Sequence, residues 1–135
     1  MGEQDNVRIV QQLYQAMAAG DIPALMGLVA DDAVLVSPGP ADIVPWAGEY
    51  HGKDELLKYV TVFGQGVETS GMEVHDLIAQ GDKVVALGEH TGLVRATGRS
   101  YDLQWVQVCT LREGKIVTIT GYHDTYLVAE AARPG

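Results

Sequence analysis

The second half of the chain contains four strand-like runs joined by links too short for anything except reversal. The runs cover residues 72–79, 83–95, 101–112 and 116–124. They are separated by Gly81-Asp82, by the stretch from Ala96 to Arg99, and by Glu113-Gly114, all residue types that favour turns. Parallel neighbours need a crossover of about a dozen residues or more, so these runs are expected to form an antiparallel meander.

The first half has a different period. Val10, Leu13, Tyr14, Met17 and Ala18 recur at helical spacing and predict a helix over 7–19. Asp5 or Asn6 can cap its start, and Gly20 suits a left-handed residue past its end. Asp21 is expected to cap a second helix with Ile22, Leu25, Met26 and Val29 on one face, ended by Asp31-Asp32. A short strand over 33–37 follows, then a long loop over 38–52 that carries Trp46, Tyr50 and His51. Lys53 or Asp54 opens a third helix, with Leu56, Tyr59, Val60 and Phe63 on one face; a brief helical tail covers 127–131. Helices first and strands afterwards imply an α+β fold, in one domain over residues 1–135. A curved antiparallel sheet wrapped around three N-terminal helices forms a cone, and the open end of a cone is a pocket.

Charge narrows the partners. Nine Lys and Arg against 18 Asp and Glu give a formal net charge of −9. Nucleic acid and a polybasic membrane surface are both disfavoured, because each needs a cationic patch and the cations here are scattered. The single cysteine, Cys109, rules out an intrachain disulfide framework. The opening residues lack a cationic stretch followed by an apolar run, and no apolar segment reaches membrane-spanning length. The expectation is a cytoplasmic protein with no cofactor. No two histidines have metal-ligand spacing, so no metal site is expected.

Several phrases carry a family resemblance. They are Ala-Gly-Asp-Ile-Pro-Ala-Leu at 19–25, Ala-Asp-Asp-Ala-Val at 30–34 and Pro-Trp-Ala-Gly-Glu-Tyr-His-Gly-Lys at 45–53. The second half adds Tyr-Asp-Leu-Gln-Trp at 101–105, Arg-Glu-Gly-Lys-Ile at 112–116 and Tyr-His-Asp-Thr at 122–125. Together they resemble the nuclear transport factor 2-like superfamily, in its SnoaL-like and ketosteroid-isomerase-like branches. The resemblance implies a cone-shaped, cystatin-like α+β barrel over nearly the whole chain. Activities differ widely within this superfamily, so fold alone does not choose one. In the isomerase-like pattern the carboxylate base falls on Ser37, the oxyanion acid on Gln107 and the oxyanion tyrosine on Leu13, with Tyr14 beside it. In the cyclase-like pattern the histidine and aspartate positions fall on Gln107 and Gly121. The family carboxylates are therefore absent from their usual places.

The same alignment sets strand phase. Val84, Ala86, Gly88, His90 and Gly92 are expected inward, with Trp105, Gln107, Cys109 and Leu111, and with Val117, Ile119, Gly121 and His123. Inward glycines leave room for a ligand. Leu13, Tyr14, Met17, Ser37, Tyr59 and Phe63 complete the expected ligand wall, and Trp46 is either a lid or loop packing. His90 and His123 titrate near neutrality and are the candidate acid/base residues; their plain role is a hydrogen-bonded core histidine. Gln107 can donate to an enolate oxygen or simply orient a ligand. Asp124 is read as a partner for a helix end or for an outer-face hydrogen bond, Cys109 as a small core residue, and His51 and His75 as exposed.

Three functions remain open on the sequence. One is an isomerase, cyclase or dehydratase acting by proton transfer on an apolar carbonyl compound. The second is a noncatalytic binding protein for an apolar small ligand, and the third a dimerisation module. Outward Val85, Leu87, Leu93, Val106, Val108 and Thr118 form an apolar patch, so a homodimer through the outer sheet face is also expected.

Overall fold

The computed structural model describes residues 2–134. Helices α1 (Glu3–Ala19) and α2 (Ile22–Leu28) lead into strand β1 (Val29–Ser37). Strand β2 (Gly48–His51), helix α3 (Gly52–Gly66) and the long strands β3 (Val67–Gln80), β4 (Lys83–Val94), β5 (Arg99–Arg112) and β6 (Lys115–His123) follow. Helix α4 (Thr125–Ala132) is the last element. The strands form one curved sheet in the order β2-β1-β6-β5-β4-β3. The meander β3-β4-β5-β6 is antiparallel throughout, as the short turns require. The α+β expectation holds, with the N-terminal helices packed on the sheet.

Local chemistry accounts for most boundaries. Gly20 adopts φ 67° past the end of α1, a conformation glycine takes without steric cost. The Asp21 carboxylate accepts from the Ala24 amide at 3.2 Å and starts α2. Helix α1 begins at Glu3 rather than at residue 7. Asp5 therefore does not cap it; it lies inside the first turn and accepts from the Gly2 amide at 3.1 Å. Asp124 accepts from the Tyr126 amide at 3.1 Å and caps α4, the first of the two roles the sequence left open.

Four expectations about the strands need correction. Val29, Asp31 and Asp32 belong to β1, not to the end of α2. The two aspartates are exposed and diverge, Asp31 toward Lys53 at 3.4 Å and Asp32 toward Arg112 at 3.2 Å. The loop 38–52 is not wholly irregular, because Gly48–His51 pairs with β1 from Ser37↔Gly48 to Val34↔His51. The sheet is also not purely antiparallel: β1 runs parallel to β6, since the chain returns beside β1 only after the whole meander. Finally, β3 starts at Val67, five positions before the expected residue 72. Its early half is polar and exposed, so hydrophobic alternation there is too weak to read.

Val10, Val29, Val44, Val84, Cys109 and Ile116 are among the fully buried side chains of the core. Ile116 occupies the inward place expected for Val117. A register shift between Thr110 and Leu111 pairs Leu111 with Ile116 and leaves Val117 as the extra residue of a bulge. Among the described residues no helix is long and apolar enough to cross a membrane.

Candidate functional site

Between the concave face of the sheet and the helices lies a cavity of about 550 Å³. This lies within the range of small-molecule sites. Period-two alternation brings His90 from β4, Trp105 and Gln107 from β5, and Gly121 and His123 from β6 to its wall. Tyr14 and Met17 reach it from α1, Ser37 from β1, Trp46 from the long loop, and Tyr59 and Phe63 from α3.

Several polar groups in this wall are engaged with one another, whereas among the described residues the buried Trp105 indole N–H and the His123 ring have no hydrogen-bond partner. The Tyr14 hydroxyl donates to Gln107 Oε1 at 2.6 Å, which leaves the two amide N–H donors of Gln107 for another acceptor. His90 is held on both nitrogens, with Nε2 3.0 Å from Thr69 Oγ1 and Nδ1 3.3 Å from the Tyr101 hydroxyl. Burial pushes the Tyr59 pKa up to about 12, with the Ser37 side chain acting in the opposite sense. Burial likewise raises Tyr14 and Tyr101 well above the ordinary phenol, so both remain donors. The His90 pKa is lowered by burial and then by the nearby His123. That of His123 is lowered by burial, with Asp124 acting in the opposite sense. Two largely neutral imidazoles therefore share one apolar cavity at neutral pH.

Aromatic contacts form a continuous wall. Trp46 meets Phe63 edge-on at 5.8 Å, Phe63 stacks on Tyr59 at 5.9 Å and approaches His90 at 5.9 Å, and His90 meets Tyr101 at 5.4 Å. On the opposite flank Tyr14 lies 5.6 Å from Trp105. Trp46 is only 5% exposed, so it packs as wall rather than standing over the mouth as a lid. Gly66 permits this, because a Cβ there would sit 2.7 Å from the Trp46 ring.

Some expected wall residues lie elsewhere. Leu13 of α1 is buried in the core and leaves the cavity face to Tyr14, about 100° further round the helix. Ala86, Gly88 and Cys109 point inward but lie outside the cavity lining. Gly88 does not make room for a ligand: its Cβ would fall 2.3 Å from Trp105 Cζ2, so the indole already fills that space. Gly92 is covered in the same way by Tyr101 and Val67. Of the three inward glycines only Gly121 borders the cavity. Burial raises the Cys109 thiol to about 12, which leaves it unreactive.

Two functional neighbours escaped the sequence reading. Tyr101 lies two pairs further along the same phase as Trp105, so extending the alternation would have found it. Thr69 lies on the part of β3 that the pattern missed, and no sequence signal marks it.

Comparison with known proteins agrees with this architecture. The sequence model of the SnoaL-like domain matches residues 10–119. An NTF2-like protein from Burkholderia xenovorans LB400 is 34% identical, with a TM-score of 0.90 over 98% of this chain and 99% of that one. One from Burkholderia thailandensis E264 is 29% identical, with a TM-score of 0.85 over 96% of this chain and 98% of that one. A third, from Burkholderia pseudomallei K96243, is 24% identical, with a TM-score of 0.86 over 99% of this chain and 100% of that one. No curated protein matches the sequence. With a family match that spans most of the chain and the curved sheet with packed helices described above, the protein belongs to the SnoaL-like family of NTF2-like proteins.

Proposed function

We propose that this protein is a proton-transfer enzyme that isomerises, cyclises or dehydrates an apolar carbonyl compound. The observation that carries the reading is the Tyr14–Gln107 hydrogen bond of 2.6 Å. It occupies the amide oxygen and leaves the amide nitrogen as a donor in the cavity wall that also holds two imidazoles.

His123 is the base. Among the described residues its ring makes no hydrogen bond or ion pair, whereas His90 is engaged on both nitrogens. His123 takes a proton from the carbon next to the carbonyl, and electron density moves onto the oxygen. Gln107 Nε2 donates to that oxygen as its charge develops, and the imidazolium returns the proton at the product position. His90, neutral and engaged by Thr69 and Tyr101, orients the Tyr101 hydroxyl rather than acting as the primary base. The apolar walls exclude water and strengthen each of these interactions.

A second reading, noncatalytic binding of an apolar ligand, is favoured by one feature: among the described residues no carboxylate lines the cavity. The homodimer through the outer sheet face and the cytoplasmic location belong to the same proposal. Val85, Leu87, Leu93, Val106 and Val108 remain only partly buried in the single chain, which supports the dimer.

The test is a thermal-shift screen of apolar ketones and polyketide-like compounds, followed by turnover assays on the hits. His123→Ala is expected to abolish conversion of a compound that still binds. Turnover that survives replacement of both histidines would overturn the acid/base assignment. Tight binding with no conversion in the unaltered protein would establish the binding-protein reading instead.

A further inference from the structure

On the outer face of the sheet, away from the cavity, Glu73 and His75 of β3 and Glu89 of β4 converge. Each offers one ligand atom, and the three atoms lie within 4.8 Å of one another. His75 Nε2 is 3.6 Å from Glu89 Oε1. Glu73 and Glu89 are direct partners in the β3–β4 ladder, so two carboxylates face each other across the strands. Like charges placed directly opposite destabilise a sheet unless a cation lies between them. The third group is placed by a break in register between Val74 and Asp76, which leaves His75 as the extra residue of a bulge and turns its ring toward the pair.

We propose that Glu73, His75 and Glu89 form a binding site for a first-row divalent cation such as Zn²⁺. An imidazole nitrogen with two carboxylates is a donor set suited to these metals rather than to Ca²⁺ or Mg²⁺, which prefer oxygen alone. Tetrahedral zinc with Zn–N and Zn–O bonds near 2 Å holds its ligand atoms ~3.4 Å apart. The His75–Glu89 separation of 3.6 Å is already near that value, and all three atoms lie within 4.8 Å of one another. Three protein ligands leave one position for water. The site is independent of the cavity, since His75 and both glutamates project from the opposite face to His90 and Gln107.

The experiment is isothermal titration of the EDTA-dialysed full chain with zinc chloride. One Zn²⁺ per chain is expected, and His75→Ala should weaken binding at least ~10-fold, the lower end of what even outer-shell partners cost. The exposed His51–Glu49 pair, at 3.0 Å, is the internal control, and His51→Ala should bind zinc as the unaltered chain does. Glu73→Gln provides a readout of opposite sign: it relieves the carboxylate repulsion, so it should raise Tm without metal and remove the zinc-induced rise. No zinc uptake, or uptake unaffected by His75→Ala, would overturn the proposal. A Tm that falls in metal-free Glu73→Gln would also count against it, because the facing carboxylates would not then be in need of a cation.

Discussion

The Tyr14 hydroxyl and the Gln107 amide oxygen lie 2.6 Å apart although 93 positions separate them in sequence. Helix α1 and strand β5 thus share one polar element at the cavity wall, and the tyrosine determines which end of the amide is available. In the proposed mechanism Tyr14 is a positioning residue, and Gln107 is the group that meets the substrate oxygen.

That relationship predicts a non-additive pair. Gln107→Leu is expected to lower kcat by ~10²–10³, the cost of one oxyanion donor. Tyr14→Phe should lower kcat less, and should add little in the Gln107→Leu background. Its cost in stability should be about 1 kcal/mol, the net value of one hydrogen bond. Steady-state kinetics of the two single variants and the double variant check this, and fully additive losses would refute it.

Acid should act on the two imidazoles in a definite direction. Both have pKa values lowered by burial, so below ~6.5 the unfolded chain binds protons that the folded chain does not. Their contribution to stability is present above that pH and is lost as pH falls through the lowered folded values. Urea midpoints measured between pH 8 and pH 5 should therefore decline toward acid, and less steeply in a His90→Asn/His123→Asn variant. The acid limb of kcat/KM for any substrate should lie below the ordinary imidazole value.

The inward glycines should separate by their surroundings. Gly88→Ala places a methyl 2.3 Å from both Trp105 Cζ2 and the Glu73 carbonyl oxygen, and backbone cannot swing aside. A loss of about 3 kcal/mol is expected, at the upper end for overpacking. Gly121→Ala meets nothing closer than 3.4 Å, so it should fold normally and weaken binding of bulky ligands by shrinking the cavity. Chemical denaturation and ligand titration of the two variants distinguish these outcomes.

The outer sheet face predicts the oligomeric state. Light scattering is expected to give twice the chain mass of 14.5 kDa at micromolar concentration. Leu87→Glu, a charge in the middle of that patch, should give a monomer with an unchanged circular dichroism spectrum. A monomer mass for the unaltered protein would remove the homodimer from the proposal.

Much of this molecule could be read without coordinates, for local reasons. Short turns allow only antiparallel neighbours, and the two-residue period of a strand then carries His90, Gln107 and His123 to one face together. The caps at Asp21 and Gly20 were equally legible, because each depends on neighbouring residues alone. What required the tertiary structure depends on volume and register between distant segments. Sequence cannot say that Trp105 fills the space beside Gly88, that Tyr14 rather than Leu13 faces the cavity, or that β1 lies parallel to β6. The Glu73–His75–Glu89 cluster is the sharpest case. No spacing along one strand announces it, since one ligand comes from the neighbouring strand and a bulge places another. The backbone period determines which face a side chain takes, and only the packing of distant strands and helices determines what it meets there.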